Sequence, residues 1–193
     1  MKRVGVLALQ GDFEAHRKAV ERAGAQAVEV RKAEDLDTID GLIVPGGEST
    51  TMLKLLHAEN LFERLREFGE AKPIFGTCAG AILVAREVRS PKQESLGLVD
   101  LTVERNAYGR QVDSRIVQLE GEAGTGLEQP VEAVFIRAPI IRHTGSDVRT
   151  LLRYNGDPVL VEQGRHLVAT FHPELTGDAR IHQKFLEKLD DSR

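Results

Sequence analysis

Along the first half of the chain, short apolar runs alternate with stretches whose apolar residues recur every three or four positions. That pattern predicts strands followed by helices. Val4 to Leu9 is an apolar run of the kind a strand buried in a parallel sheet gives. Gly11 and Asp12 then open a helix whose inner face is Phe13, His16, Val20 and Ala23, with Gly24 as its C-terminal stop. Ala27 to Val30 and "GLIV" at 41–44 predict the second and third strands. Ser49 to Leu56 has helical spacing, with Ser49 or Thr50 as the cap. Leu61 to Phe68 forms the next helix, ending at Gly69. "PIF" at 73–75 is a fourth strand, and Ala79 to Val88 a helix after it.

From residue 90 the texture changes. "LGLVDLTVER", "RIVQL" and "VEAVFIRA" read as strands joined by turns, more antiparallel in character. "PVLVEQG" and "HLVATF" read as a hairpin about Gly164 and Arg165. Residues 178–189 close the chain as an amphipathic helix with Ile181, Phe185 and Leu189 on one face. "EGEAGTGLEQ", at 120–129, reads as a mobile loop. The pattern predicts a three-layer α/β/α fold, with a mostly parallel central sheet and an antiparallel extension, in one domain over 1–193.

Composition narrows the possibilities. At 193 residues the chain is long enough to bury a real core, and 41% apolar with 29% charged residues is ordinary for a globular protein. A net charge of -4 argues against a generic nucleic-acid binder, because no strong basic bias attracts phosphates. The apolar run near the N-terminus passes straight into charged helix and falls far short of the roughly 18 residues of a membrane span. The single cysteine cannot form an internal disulfide, and this fits a cytoplasmic setting.

Chemistry concentrates where three predicted strands end. "GLIV" runs into Pro45-Gly46-Gly47-Glu48-Ser49, "PIF" into Gly76-Thr77-Cys78-Ala79-Gly80, and "HLVATF" into His172-Pro173-Glu174. In an open α/β sheet, ligands bind beyond the carboxyl ends of the strands. Gly-x-Cys-x-Gly between strand and helix has the pattern of a nucleophile elbow, and the following helix would aim its N-terminus at the sulfur, favouring thiolate. The Ala79 N–H is then placed to donate to an oxyanion. A buried structural cysteine in a glycine turn fits the same pentapeptide.

"HPE" supplies an imidazole to move a proton and a carboxylate to hold its tautomer, although a solvated surface loop would read the same way. The consecutive glycines at 46 and 47 offer backbone N–H groups that could complete an oxyanion hole, or form a plain turn. No Gly-Lys-Ser/Thr follows them, so a phosphate loop is excluded.

Arg105 and Arg137 follow predicted strands and could hold a substrate carboxylate, or be solvated. Asp12, Glu14 and Glu48 could form a carboxylate pair, though their spacing does not demand it. The other histidines lack the spacing of a zinc site, and His16 on an apolar helix face reads as a packed residue.

Taken together, "GVLALQGDFEAH" at 5–16, "GLIVPGGESTTM" at 41–52, "FGTCAG" at 75–80, "VERNAYGRQVDS" at 103–114, "VFIRAP" at 134–139 and "FHPELT" at 171–176 resemble the class I (triad) glutamine amidotransferases. Within that family they resemble the branch of glutaminase subunits that serve pyridoxal 5′-phosphate synthases. The resemblance covers nearly the whole chain. It implies that Cys78 attacks the side-chain amide of L-glutamine, that His172 is general base and acid, and that Glu174 orients it. A glutamyl thioester at Cys78 is then hydrolysed to glutamate. It implies glutamine-binding positions at Gly46, Gly47, Glu48, Ser49, Arg105, Ile136 and Arg137, and an oxyanion hole from Gly47 and Ala79.

The resemblance further implies no cofactor or metal, a barrel-shaped synthase subunit as the recipient of ammonia, a large ring-like assembly, and little activity before that partner binds. Isomerase- or chaperone-like proteins with an elbow cysteine usually carry histidine directly after it, where this chain has Ala79. Glutaminases serving other synthases, such as the imidazole-glycerol-phosphate one, are disfavoured by "PGGEST" and "GTCAG". A non-enzymatic α/β binding module would leave Cys78, His172 and Glu174 without a shared purpose.

Overall fold

In a computed structural model, which describes residues 1–105 and 114–191, a seven-stranded sheet carries helices on both faces. The chain enters through β1 (Arg3–Leu7), α1 (Phe13–Arg22), β2 (Gln26–Val30), a 3-10 turn at Ala33–Thr38 and β3 (Gly41–Val44). Next come α2 (Ser49–Ala58), α3 (Phe62–Ala71), β4 (Ile74–Thr77) and α4 (Ala79–Val84). Strands β5 (Ala85–Arg89), β6 (Val99–Glu104), β7 (Ser114–Leu119), β8 (Val131–Ile136), β9 (Ile140–Thr144), β10 (Arg149–Tyr154), β11 (Asp157–Gln163) and β12 (His166–Ala169) follow. A 3-10 turn at Pro173–Leu175 and α5 (Arg180–Asp190) complete the order.

The large sheet runs β10-β11-β12-β4-β3-β1-β2. Its pairs from β12 through β2 are parallel, and β11 and β10 add on antiparallel. This is the architecture the pattern predicts. Two small sheets, β5-β6-β9 and β7-β8, flank it.

Strand alternation assigns each residue to a layer. Val4, Val6, Ile43 and Phe75 face one way and pack with Val20 of α1 and Ile181, Phe185 and Leu189 of α5. Leu7, Leu42, Val44 and Ile74 face the other way and pack with Met52, Leu56 and Leu65 of α2 and α3, and with Ala81 and Leu83 of α4. Because both faces are covered, the strands read as unbroken apolar runs rather than as alternation.

The helix expected over 79–88 stops at Val84, and Ala85–Arg89 continues as a strand paired with β6. Ala85 and Val88 are both buried, a spacing of three that suits a helix face and that the strand accommodates through a register shift between Ala85 and Glu87. The segment 120–129, expected to be mobile, is tied down internally. Thr125 and Leu127 are buried, and the Glu128 carboxylate accepts from the backbone N–H groups of Gly124 and Gly126. No helix among the described residues is long and apolar enough to cross a membrane.

Candidate active site

Strands β12, β4 and β3 are adjacent and parallel, so the segments that follow them emerge at one rim. Cys78 sits at the turn from β4 to α4 with φ 51° and ψ -108°. Such a left-handed conformation costs a side-chain-bearing residue about 1–3 kcal/mol and persists only where the surroundings enforce it. They do so here. The Cys78 N–H donates to Ala169 O at 2.9 Å, and its carbonyl accepts from Ala81 N at 3.0 Å. A methyl group on Gly76 would lie 2.6 Å from Gly80 O, and one on Gly80 would collide with the carbonyl of Val44. Strand β3 is therefore pressed against the start of α4, and the bend holds the cysteine at its tip.

His172 and Cys78 pack side by side against Gly46, where an added methyl group would meet Cε1 of the imidazole and Cβ of the cysteine. The His172 Nδ1 lies 2.6 Å from Glu174 Oε1, leaving Nε2 as the ring nitrogen open to the thiol. His172 is anchored through its N–H to Val134 O of β8, and Pro173 starts the 3-10 turn that brings Glu174 back beneath the ring. Both side chains are buried. Burial opposes charge on His172, yet hydrogen bonding to Cys78 and Glu174 as acceptors, together with their negative charge, outweighs it and pushes the imidazole up to about 10. Asp12 Oδ2 also approaches, 3.5 Å from Nδ1. The ligand-type atoms of Asp12, His172 and Glu174 converge within 4.8 Å. The short bond between Nδ1 and Oε1, however, already occupies two of them with each other.

Around the sulfur, Gly47, Glu48, Ser49, Cys78, Ala79, Ile82, Arg105, Arg137 and Pro139 line a pocket of about 270 Å³. Gly46 lies just behind it, against His172 and Cys78. Ile136 sits at the end of β8, where its carbonyl is 3.9 Å from Cys78 Sγ, and the chain then turns through Arg137 at φ 46°. Arg105 is largely covered, with Nη2 donating to Thr50 Oγ1 at 2.8 Å and lying 3.8 Å from Glu48 Oε1. Of the motif at 103–114, residues 106–113 lie outside the described residues.

Glu48, rather than Ser49 or Thr50, caps α2. Its carboxylate accepts from Thr50 N at 3.1 Å and from Thr51 N and Oγ1 at 2.7 Å each. Ser49 is buried and donates to Gln93 Oε1 at 3.2 Å. The possible pairing of Asp12, Glu14 and Glu48 does not form, because Glu14 is engaged by Arg17 on the surface and Glu48 by α2.

Sequence reasoning took Asp12 only as a possible carboxylate partner and Thr77 only as part of the elbow, and it overlooked Gln10. Gln10 Oε1 accepts from Glu48 N at 3.0 Å, and Asp12 N donates to Gly46 O at 3.2 Å, so the segment after β1 braces the glycine loop. Thr77 is fully buried beside His16. The only signal for these was their place just beyond or within strands that end at this rim.

The arrangement offers a covered nucleophile, a base with its orienting carboxylate, and a polar pocket small enough for an amino acid. Comparison with known proteins agrees in kind. The chain is 64% identical over 195 residues to "Pyridoxal 5'-phosphate synthase subunit PdxT" of Solibacter usitatus (strain Ellin6076), covering 98% of this chain and 100% of that one. The protein of the same name from Koribacter versatilis (strain Ellin345) is 54% identical over 187 residues, covering 97% and 95%. A solved structure described as "Crystal structure of glutamine amidotransferase" superposes with a TM-score of 0.89 at 48% identity, covering 97% of this chain and 98% of that chain. With residues 6–191 matching its family model and these relatives aligned end to end, the chain belongs to the SNO glutamine amidotransferase family.

Proposed function

We propose that this chain hydrolyses the side-chain amide of L-glutamine at Cys78 and hands the ammonia to a synthase subunit that builds pyridoxal 5′-phosphate. The observation that carries the reading is the placement of Cys78, strained at its elbow on the wall of the Arg105–Arg137 pocket, beside His172, itself bonded to Glu174. The family and the names of its relatives support the substrate and the synthase partner.

In this mechanism His172 takes the thiol proton, and its raised affinity for that proton keeps the imidazolium beside the thiolate. The sulfur attacks the amide carbon, and the carbonyl oxygen becomes an oxyanion facing the N–H groups of Gly47 and Ala79. His172 returns the proton to the departing nitrogen. The C–N bond breaks, ammonia leaves and a glutamyl thioester remains. A water molecule deprotonated by His172 attacks that thioester, releasing glutamate and restoring the thiol. Glu174 keeps Nδ1–H directed toward itself and balances the imidazolium charge. Gly46, Glu48, Ser49 and Ile136 shape the substrate pocket, and Arg105 and Arg137 bring positive charge to the α-carboxylate. The recipient is a barrel-shaped synthase subunit in a large hetero-oligomer, and the setting is the cytoplasm.

The test is release of ammonia and glutamate from glutamine, with and without the synthase subunit. Little activity alone and a large rise with the partner are expected, with none for Cys78→Ala or His172→Asn. Full activity without the partner would defeat the coupling while sparing the chemistry. Full activity of Cys78→Ala would defeat the chemistry.

A further inference from the structure

Behind Glu174 lies a set of polar groups for which the mechanism above has no use. Glu174 Oε1 is taken by His172, but Oε2 is buried with no hydrogen-bond partner among the described residues. Nε2 of His16 lies 3.3 Å from that oxygen and 3.0 Å from Thr77 Oγ1, with its bond directed to the hydroxyl. On the opposite side of the ring, His16 Nδ1 is 3.0 Å from His182 Nε2. The two histidines come from α1 and α5, and their rings stand steeply tilted against Phe75 of β4. Both are buried, at 0% and 1% exposure.

The neighbours fix the tautomers. If His16 carried its proton on Nδ1, its bare Nε2 could accept from the Thr77 hydroxyl but would lie 3.3 Å from a carboxylate oxygen, and the two would repel. His182 would then have to accept at Nε2 and hold its proton on Nδ1, an atom buried without a partner. A stranded N–H is the rarer fault in a folded interior. With the protons reversed, His182 Nε2–H donates to His16 Nδ1, and His16 Nε2–H points to the Thr77–Glu174 side. No N–H is then stranded, and what lacks a hydrogen bond is acceptor capacity alone, at His182 Nδ1 and at Glu174 Oε2 beside the His16 N–H. Burial first, and then the charges of His182 and His172, hold His16 well below its ordinary value, so it carries no charge of its own into the site. Burial and Arg22 hold His182 down to about 4.

We propose that His16 is a positioning residue for Glu174. Backed by His182 and bonded to Thr77 Oγ1, it sets the positive end of its Nε2–H 3.3 Å from the carboxylate edge that His172 does not use, and this electrostatic contact favours the orientation in which Oε1 meets His172. The proposal rests on the triad reading given above. A neutral donor suits this task because it steadies the carboxylate without becoming a second cation that would compete with the imidazolium of His172 for Glu174.

Two measurements test it. Nitrogen-15 spectra of histidine-labelled protein near neutral pH should show both His16 and His182 as neutral Nε2–H tautomers, and a proton on Nδ1 of His16 would overturn the proposal. In the complex with the synthase subunit, His16→Leu fills the space without a donor and should lower kcat at least about tenfold, as loss of an outer partner of a functional group does. KM for glutamine should stay within about twofold. His16→Gln places an amide N–H near the original Nε2 and should recover most of kcat, together with the downfield proton signal of the His172–Glu174 bond. If His16→Leu keeps wild-type kcat, or Gln is as impaired as Leu, the proposal fails. Should the Leu variant not fold, His16→Asn, whose amide falls near Nδ1, replaces it. Asn impaired and Gln active supports the assignment, and the reverse overturns it. Failure of the triad reading itself would instead show as an active Cys78→Ala enzyme, whatever the tautomers.

Discussion

Gly46 and His172 approach so closely that a methyl group added to the glycine would lie 2.7 Å from Cε1 of the imidazole and 3.3 Å from Cβ of Cys78. The glycine loop after β3 therefore sets how far the ring can swing from the sulfur. Gly46→Ala should displace His172 while leaving the sheet intact, lowering kcat by about a hundredfold, the effect of a shift near 1 Å between reacting groups. Steady-state kinetics beside a thermal melt would check this, and unchanged kcat in a folded variant would sink it.

Gly80 makes a harder contact with backbone. A side chain there would run into the carbonyl of Val44, an atom that cannot rotate away. Gly80→Ala should destabilise the fold by more than about 3 kcal/mol, among the larger single-site effects, because α4 and β3 must part. Urea denaturation measures it. A midpoint matching wild type would mean that the elbow is looser than its contacts indicate.

The helix–sheet–helix order was legible because doubly covered parallel strands leave apolar runs that few other elements produce. "GLIV" and Val4 to Leu9 announced β3 and β1, with the latter two residues shorter at its carboxyl end. The register of Ala85 to Arg89 was not legible, since Ala85 and Val88 suit a helix face as well as a twisted edge. Strands β9 and β10 escaped notice because "IIRHT" and "RTLLRY" carry at least as many polar as apolar residues at the sheet margins. In the site, residues at strand ends could be picked out by type, whereas Glu48 as a cap could not, glutamate being an uncommon choice there. The His16–His182 pair, 166 positions apart, has no local signature at all.

Buried histidines also set an acid limit on stability. His166 and His182 are each held down to about 4, first by burial and then by Arg165 and Arg22 respectively. Their folded values lie below the ordinary 6.5, so the unfolded chain binds protons that the folded chain refuses. The stability they contribute is complete above about pH 6.5 and is lost as pH falls towards 4. It amounts to about 3 kcal/mol for each. His172 has the opposite sign. Raised to about 10, it stabilises fully below 6.5 and loses that contribution as pH rises through about 10. The urea midpoint should therefore fall on both sides of neutrality, and more gently on the acid side in a folded His182→Leu variant. A midpoint that stays flat from about pH 7 to about pH 4.5 would contradict this account.

Arg105 gives the sharpest separation of binding from chemistry. Its guanidinium is largely covered, is held by Thr50 Oγ1 at 2.8 Å and lines the same pocket as Cys78. If it meets the substrate's α-carboxylate, that contact is the same in the ground state and the transition state, because the carboxylate does not change during amide cleavage. Arg105→Ala should then raise KM for glutamine about tenfold or more, with kcat within a few-fold of wild type, the signature of lost uniform binding. Arg105→Lys should recover only part of the loss, since a single ammonium lacks the two-pronged fit of guanidinium to carboxylate. A fall in kcat at unchanged KM would place Arg105 with the reacting atoms instead, and the pocket's polarity would need to be reassigned.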